Sequence, residues 1–151
     1  MRTTVRAEVY IDCPPEAVAR VVLDPDQAVL WTSDLERFEV ISGEPGEVGS
    51  IAHLHYLEKG RPYLMEDVLL ETEPNRRYVS RVSGEALTAE VETALFPCNG
   101  GTRVAVRWTG IGRAFVFRLL LPFMRRSIAR QATADLRKLK SLVESQSTTG
   151  A

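Results

Sequence analysis

The sequence predicts a single α+β domain with seven antiparallel strands, two short helices after the first strand and a long C-terminal helix. Three observations predict it. Short runs of alternating apolar and polar residues recur from Thr3 to Thr109, the period of half-buried strands. The gaps between later runs are a few residues rich in Gly, Pro and Asn, whereas a parallel crossover needs about a dozen. After Gly110 and Gly112 the period switches, and Ile128, Ala132, Leu136, Leu139 and Val143 step by three or four residues.

In chain order, Thr3 to Ile11 places Val5, Ala7, Val9 and Ile11 on one face of a strand. Asp12-Cys13-Pro14-Pro15-Glu16 opens a helix, because proline is tolerated in a first turn and an acidic residue favours that end. Its apolar residues are Ala17, Val18, Val21 and Val22, and it stops near Asp24-Pro25; a second short helix holds Ala28 to Trp31. Leu35 to Ser42 is a strand ended by Gly43-Glu44-Pro45-Gly46. Val48 to Glu58 and Arg61 to Glu73 are joined by Lys59-Gly60, which suits a two-residue hairpin. Arg76 to Val82, Ala86 to Phe96 and Thr102 to Thr109 complete the strands. Pro122 interrupts the next apolar stretch, so a short or kinked helical segment precedes a main helix over residues 124–146. The domain therefore spans 1–146, with 147–151 as a disordered tail.

At 151 residues the chain can bury a core without staples. Cys13 and Cys98 form no disulfide framework or metal spacing and read as reduced thiols, which with the absence of a signal-peptide pattern points to the cytoplasm. The longest apolar stretch, Ala114 to Met124, contains Arg118 and is too short to span a bilayer, so no integral membrane segment is expected. Charge is segregated: residues 1–102 carry 9 Lys/Arg and 18 Asp/Glu, while residues 103–140 carry 10 Lys/Arg and only Asp135. Such a basic segment can serve nucleic acid or anionic lipid. It can equally be a helix with solvated basic edges packed on an acidic sheet. From Arg125 to Lys140 no aromatic residue interleaves the bases for stacking, which favours the solvated helix and no nucleic-acid partner.

Several joints carry a resemblance: Val9-Tyr10-Ile11-Asp12-Cys13-Pro14-Pro15-Glu16-Ala17-Val18, Val48-Gly49-Ser50, Leu70 to Arg77, and Gly101-Thr102-Arg103-Val104. Together with Leu120-Leu121-Pro122 and Asp135 to Lys140, they resemble the START/SRPBCC (birch-pollen-allergen-like) superfamily, in particular bacterial polyketide cyclase/dehydrase-like members. The likeness covers nearly the whole chain. It implies a helix-grip fold, in which the long helix lies over the concave face of a curved sheet and an internal apolar cavity takes a ligand. It does not imply a single function.

With a tight turn at Lys59-Gly60, His55 lies opposite Leu64, His53 opposite Glu66 and Ile51 opposite Val68. The other face pairs Tyr56 with Tyr63, Leu54 with Met65 and Ala52 with Asp67. Plant hormone receptors of the superfamily place an acidic strand residue inside the cavity. The resemblance of the following acidic turn puts Glu66 at that position, so Ile51, His53, His55, Leu64, Glu66 and Val68 are expected to face inward. Three roles stay open for the His/Glu cluster. It can be a satisfied hydrogen-bonded group or a polar anchor for a ligand. It can also do chemistry, with His53 and Glu66 as the candidate catalytic pair. A metal at His53-x-His55 and Glu66 lacks a fourth protein ligand, and none is expected.

Further wall candidates are Trp31, Trp108, Phe115, Phe117, Phe123 and Met124, for which core packing is the ordinary role. Ser127 and Gln131, one helical turn apart, are candidate polar contacts. No nucleophile elbow, Walker loop or dinucleotide glycine pattern is present, so no cofactor is expected. The leading expectation is a carrier of a hydrophobic or amphipathic small molecule, lipid- or polyketide-like, acting as a monomer or homodimer. The alternatives are a cyclase or dehydratase using a His/Glu pair, and an interaction module using the basic C-terminal helix.

Overall fold

The structure, a computed structural model, describes residues 2–149. Seven strands, β1 (Thr3–Ile11), β2 (Leu35–Ser42), β3 (Ile51–Glu58), β4 (Arg61–Glu73), β5 (Arg77–Ser83), β6 (Leu87–Cys98) and β7 (Gly101–Gly112), form one sheet. Their order is β1-β7-β6-β5-β4-β3-β2 and every neighbouring pair is antiparallel. The helices are α1 (Pro15–Val22), α2 (Pro25–Trp31), α3 (Phe115–Leu120) and α4 (Arg125–Thr149), with a 3-10 turn at Leu121–Met124. This is the helix-grip arrangement.

Local chemistry accounts for the boundaries. Lys59 and Gly60 have φ of 51° and 80°, the pair of positive values that a two-residue hairpin between right-twisted strands demands. Glu58 is thereby paired with Arg61. Helix α1 ends at Val22, just before the expected Asp24-Pro25, and the next helix is capped by Asp24. Its carboxylate accepts from the Asp26 N–H at 3.0 Å, so α2 begins at Pro25, three residues before the expected Ala28. β3 starts at Ile51 rather than Val48, because Glu44 to Ser50 is taken up by a turn in which the Glu47 N–H donates to the Glu44 carbonyl. Residues 147–149, expected in a tail, continue α4; residues 150 and 151 lie outside the described residues, as does Met1.

The core is built where α4 meets β1, α1 and the β6–β7 pair. Leu136, Leu139 and Val143 of α4 join Ile11, Val18, Leu95 and Val104, each at most 2% exposed. Polar ties fix the helix there: Lys140 donates to the Tyr10 carbonyl at 2.8 Å, and Glu144 accepts from the Asp12 N–H at 2.8 Å. At the other end of this contact Asp135 accepts from the Ser33 N–H at 3.1 Å and from the Ser33 hydroxyl. Helix α4 packs most closely along β1, α1 and α2, which leaves the β3–β5 part of the concave face free to line a chamber.

Candidate functional site

That chamber has a volume of about 280 Å³. Val22, Leu23, Ala28 and Trp31 of the two short helices form its roof, and Leu35, Phe38 and Val40 of β2 form one wall. Its floor comes from alternate residues of the sheet: Ala52, Leu54 and Tyr56 of β3, Asp67 and Leu69 of β4, and Tyr78, Ser80 and Val82 of β5. Strand alternation brings these to one face, because Ala52 pairs with Asp67 and Asp67 with Val82. The small side chains of Ala52 and Ser80 leave the space that larger residues would fill.

Asp67 is the only carboxylate among the chamber's lining residues. Burial pushes its carboxyl up to about 6, with the Ser80 hydroxyl pulling slightly the other way. Burial also raises the neighbouring Tyr56 phenol, helped by Tyr63 and then by Asp67 itself. The Tyr56 and Tyr63 rings stack with centroids 4.9 Å apart. A second polar group stands in the roof. The Trp31 indole N–H is buried and finds no hydrogen-bond acceptor among the described residues. A largely apolar chamber with a desolvated carboxyl and an unpartnered donor has the composition of a small-molecule site.

The register expected from the hairpin is the observed one, with His53 opposite Glu66, His55 opposite Leu64 and Ile51 opposite Val68. The face is not. Ala52, Leu54 and Asp67 line the chamber, so His53, His55, Leu64, Glu66 and Val68 lie on the other side of the sheet. Ile51 still reaches the chamber from the first position of β3. On the outer face His55 donates to Glu39 at 2.9 Å, and this bond holds the Glu39 carboxyl below the usual range. His53 stands 3.9 Å from Glu66, whose side chain is 52% exposed. The physical reason for the reversal is residue count per face. The face bearing two histidines and a glutamate faces water, and the face with a single aspartate turns inward. That contrast was available in the sequence, and the alignment of an acidic turn pointed one residue too early.

Among the other candidates, Trp31 is one of the residues lining the chamber. Trp108 shares the concave face but covers Gly110, where an added Cβ would lie 2.3 Å from its ring; it fills the end of the sheet and is not in the chamber wall. Phe115 and Phe123 are 72% and 87% exposed, because α3 and the 3-10 turn stand off the sheet and bury only Leu121. Ser127 and Gln131 are likewise exposed and away from the chamber. Among the described residues no group of three or more His, Cys, Asp and Glu side chains is placed to hold a metal, and no helix is long and apolar enough to cross a membrane.

The family model described as polyketide cyclase / dehydrase and lipid transport matches residues 2–144. The chain belongs to this family. Solved structures with the same fold include the aromatase/cyclase Zhui from Streptomyces sp. R1128, with a TM-score of 0.81 and 17% identity over 97% of this chain and 96% of that one. Ara h 8.0201 superposes with a TM-score of 0.76 at 18% identity, covering 96% of this chain and 99% of its own. TTHA0849 from Thermus thermophilus gives 0.77 at 24% identity, with 96% and 99% coverage. Among curated protein sequences none matches at a significant level. The polyketide cyclase / dehydrase and lipid transport family thus accounts for the architecture, and the structural likenesses, at such identities, speak to the fold alone.

Proposed function

We propose that this family member binds a small apolar or amphipathic molecule, lipid- or polyketide-like, in the chamber, and that Asp67 holds a polar atom of it. The observation that carries the reading is the placement of Asp67. A carboxyl kept in an apolar wall with no salt-bridge partner among the described residues is a standing cost to stability, and a ligand hydroxyl donating to it would offset that cost. The Trp31 N–H, lacking an acceptor, offers a second contact of opposite polarity. A chamber of about 280 Å³ suits a compact ligand, at the lower end of the usual size for such sites.

Titration with a neutral environment-sensitive dye such as Nile red, followed by dye emission and by quenching of Trp31 in a Trp108→Phe background, tests the reading. Ala52→Phe and Ser80→Phe, on different strands, each place a ring in the chamber. Each is expected to weaken dye binding about tenfold or more, equivalent to losing about 1.4 kcal/mol. Unchanged binding in both folded variants would place the dye elsewhere and sink the proposal.

A second reading, chemistry on the bound molecule, is favoured by the same residue. A carboxyl raised to about 6 in a water-poor site suits proton abstraction near neutral pH. In that case the acid–base role falls to Asp67, since His53 and Glu66 lie across the sheet from the chamber. Asp67→Asn would then abolish turnover while the substrate still binds, whereas a pure carrier shows only an affinity change.

A further inference from the structure

Between Arg113 and Arg130 the chain has five arginines and no acidic residue. The same stretch holds the most exposed aromatic residues of the molecule. Besides Phe115 and Phe123, the side chains of Val116, Leu119, Leu120 and Met124 are 46% to 59% exposed. Single exposed apolar residues are ordinary, but a contiguous patch of this kind marks an interaction surface. The segment is tied to the fold at two points. At Gly112 an added Cβ would lie 2.4 Å from the Phe117 backbone, so β7 and α3 approach closely there. Leu121, 3% exposed, anchors the 3-10 turn.

The arginines are not neutralised within the fold. Arg113 donates to the Thr88 hydroxyl, Arg118 to the Gly112 carbonyl and Arg125 to the Thr4 carbonyl, all uncharged acceptors. None of the five forms an ion pair among the described residues, whereas Arg77, Arg103 and Arg107 all do. Exposed phenyl and aliphatic groups flanked by unpaired arginines are the composition of a segment lying in a bilayer interface.

We propose that the segment from Phe115 to Arg130 docks this protein on an anionic phospholipid surface. Phe115 and Phe123 enter the boundary of the acyl chains, and Arg125, Arg126 and Arg130 meet head-group phosphates. The chemistry argues against two other occupants. A symmetric contact with a second copy would bring the segment's four arginines, none of them in an ion pair among the described residues, against four. A nucleic acid would match the charge but leave Val116, Leu119, Leu120 and Met124 without an apolar partner, since such interfaces are polar and charged. The solvated-helix expectation rests on charge alone; the exposed apolar residues beside the arginines are what point to a lipid surface.

Co-sedimentation of the whole chain with phosphatidylcholine vesicles, with and without phosphatidylserine, tests the proposal at low and physiological salt. Binding is expected to require phosphatidylserine and to weaken with salt. Phe115→Ser with Phe123→Ser, and separately Arg126→Glu with Arg130→Glu, should each reduce it about tenfold or more. All four positions are exposed, so the melting temperature should be unchanged. A Phe123→Trp variant should shift its emission to the blue on the same vesicles. Three results would overturn the proposal. One is the absence of vesicle binding. Another is binding that survives the Phe→Ser pair and is matched by a single-stranded oligonucleotide, which would make the site a polyanion surface. The third is self-association, abolished by Phe123→Ser, in place of vesicle binding.

Discussion

Leu136→Asp is expected to lower stability by about 4 kcal/mol or more, most of the margin of a domain at the low end of the ordinary range of about 5–15 kcal/mol. Leu136 is 2% exposed in the cluster that joins α4 to β1 and α1. Truncating a buried leucine costs about 2–5 kcal/mol, from lost transfer energy and the cavity left behind. An aspartate there adds the burial of a carboxylate in a cluster made largely of aliphatic side chains, which offer it no hydrogen bond. Leu136→Met keeps volume and polarity and should cost less than about 1.5 kcal/mol. Urea denaturation of the two variants measures the contrast. Similar midpoints would mean that this stripe does not hold the helix to the sheet.

Asp67→Asn is expected to stabilise the protein near neutral pH by about 1–3 kcal/mol and to flatten its pH dependence. The sign follows from linkage. Asp67 in the fold keeps its proton up to about pH 6, whereas an unfolded aspartate loses it near 4. Between these values the folded state binds more protons, so stability falls as pH rises through the window, and the full penalty is present above about pH 6. Glu39 and Glu144 are held below their usual range and act in the opposite sense, losing their contribution as pH falls. The difference between wild type and Asp67→Asn at each pH isolates Asp67. Urea midpoints at about pH 4.5 and about pH 7.5 give the test, and a variant no more stable than wild type at the higher pH would show that Asp67 is well solvated. A stabilising loss of a residue that lines the chamber is the pattern of a group retained for binding or chemistry.

How much of this was legible beforehand differs between local and global features. Thr3–Ile11, Leu35–Ser42 and Arg61–Glu73 were found to the residue, because alternation and turn chemistry are properties of neighbouring residues. The positive φ values at Lys59 and Gly60 bear out the hairpin, and with it the pairing of β3 with β4. The stripe through Leu136, Leu139 and Val143 located the buried face of α4 for the same reason.

Register alone leaves the choice of face open, because a sheet has two sides and a pairing is compatible with either facing the core. The face that α1 and α2 cover across the chamber is the one with a single aspartate rather than two histidines and a glutamate, which turns Asp67 inward and His53 and Glu66 outward. The same holds for Phe115 and Phe123. An apolar side chain states a preference for burial, but whether a surface exists to bury it depends on where the chain has room to pack. Here α4 is held against β1 and α1, and α3 is left standing beyond the end of β7 with its phenyl rings in the open.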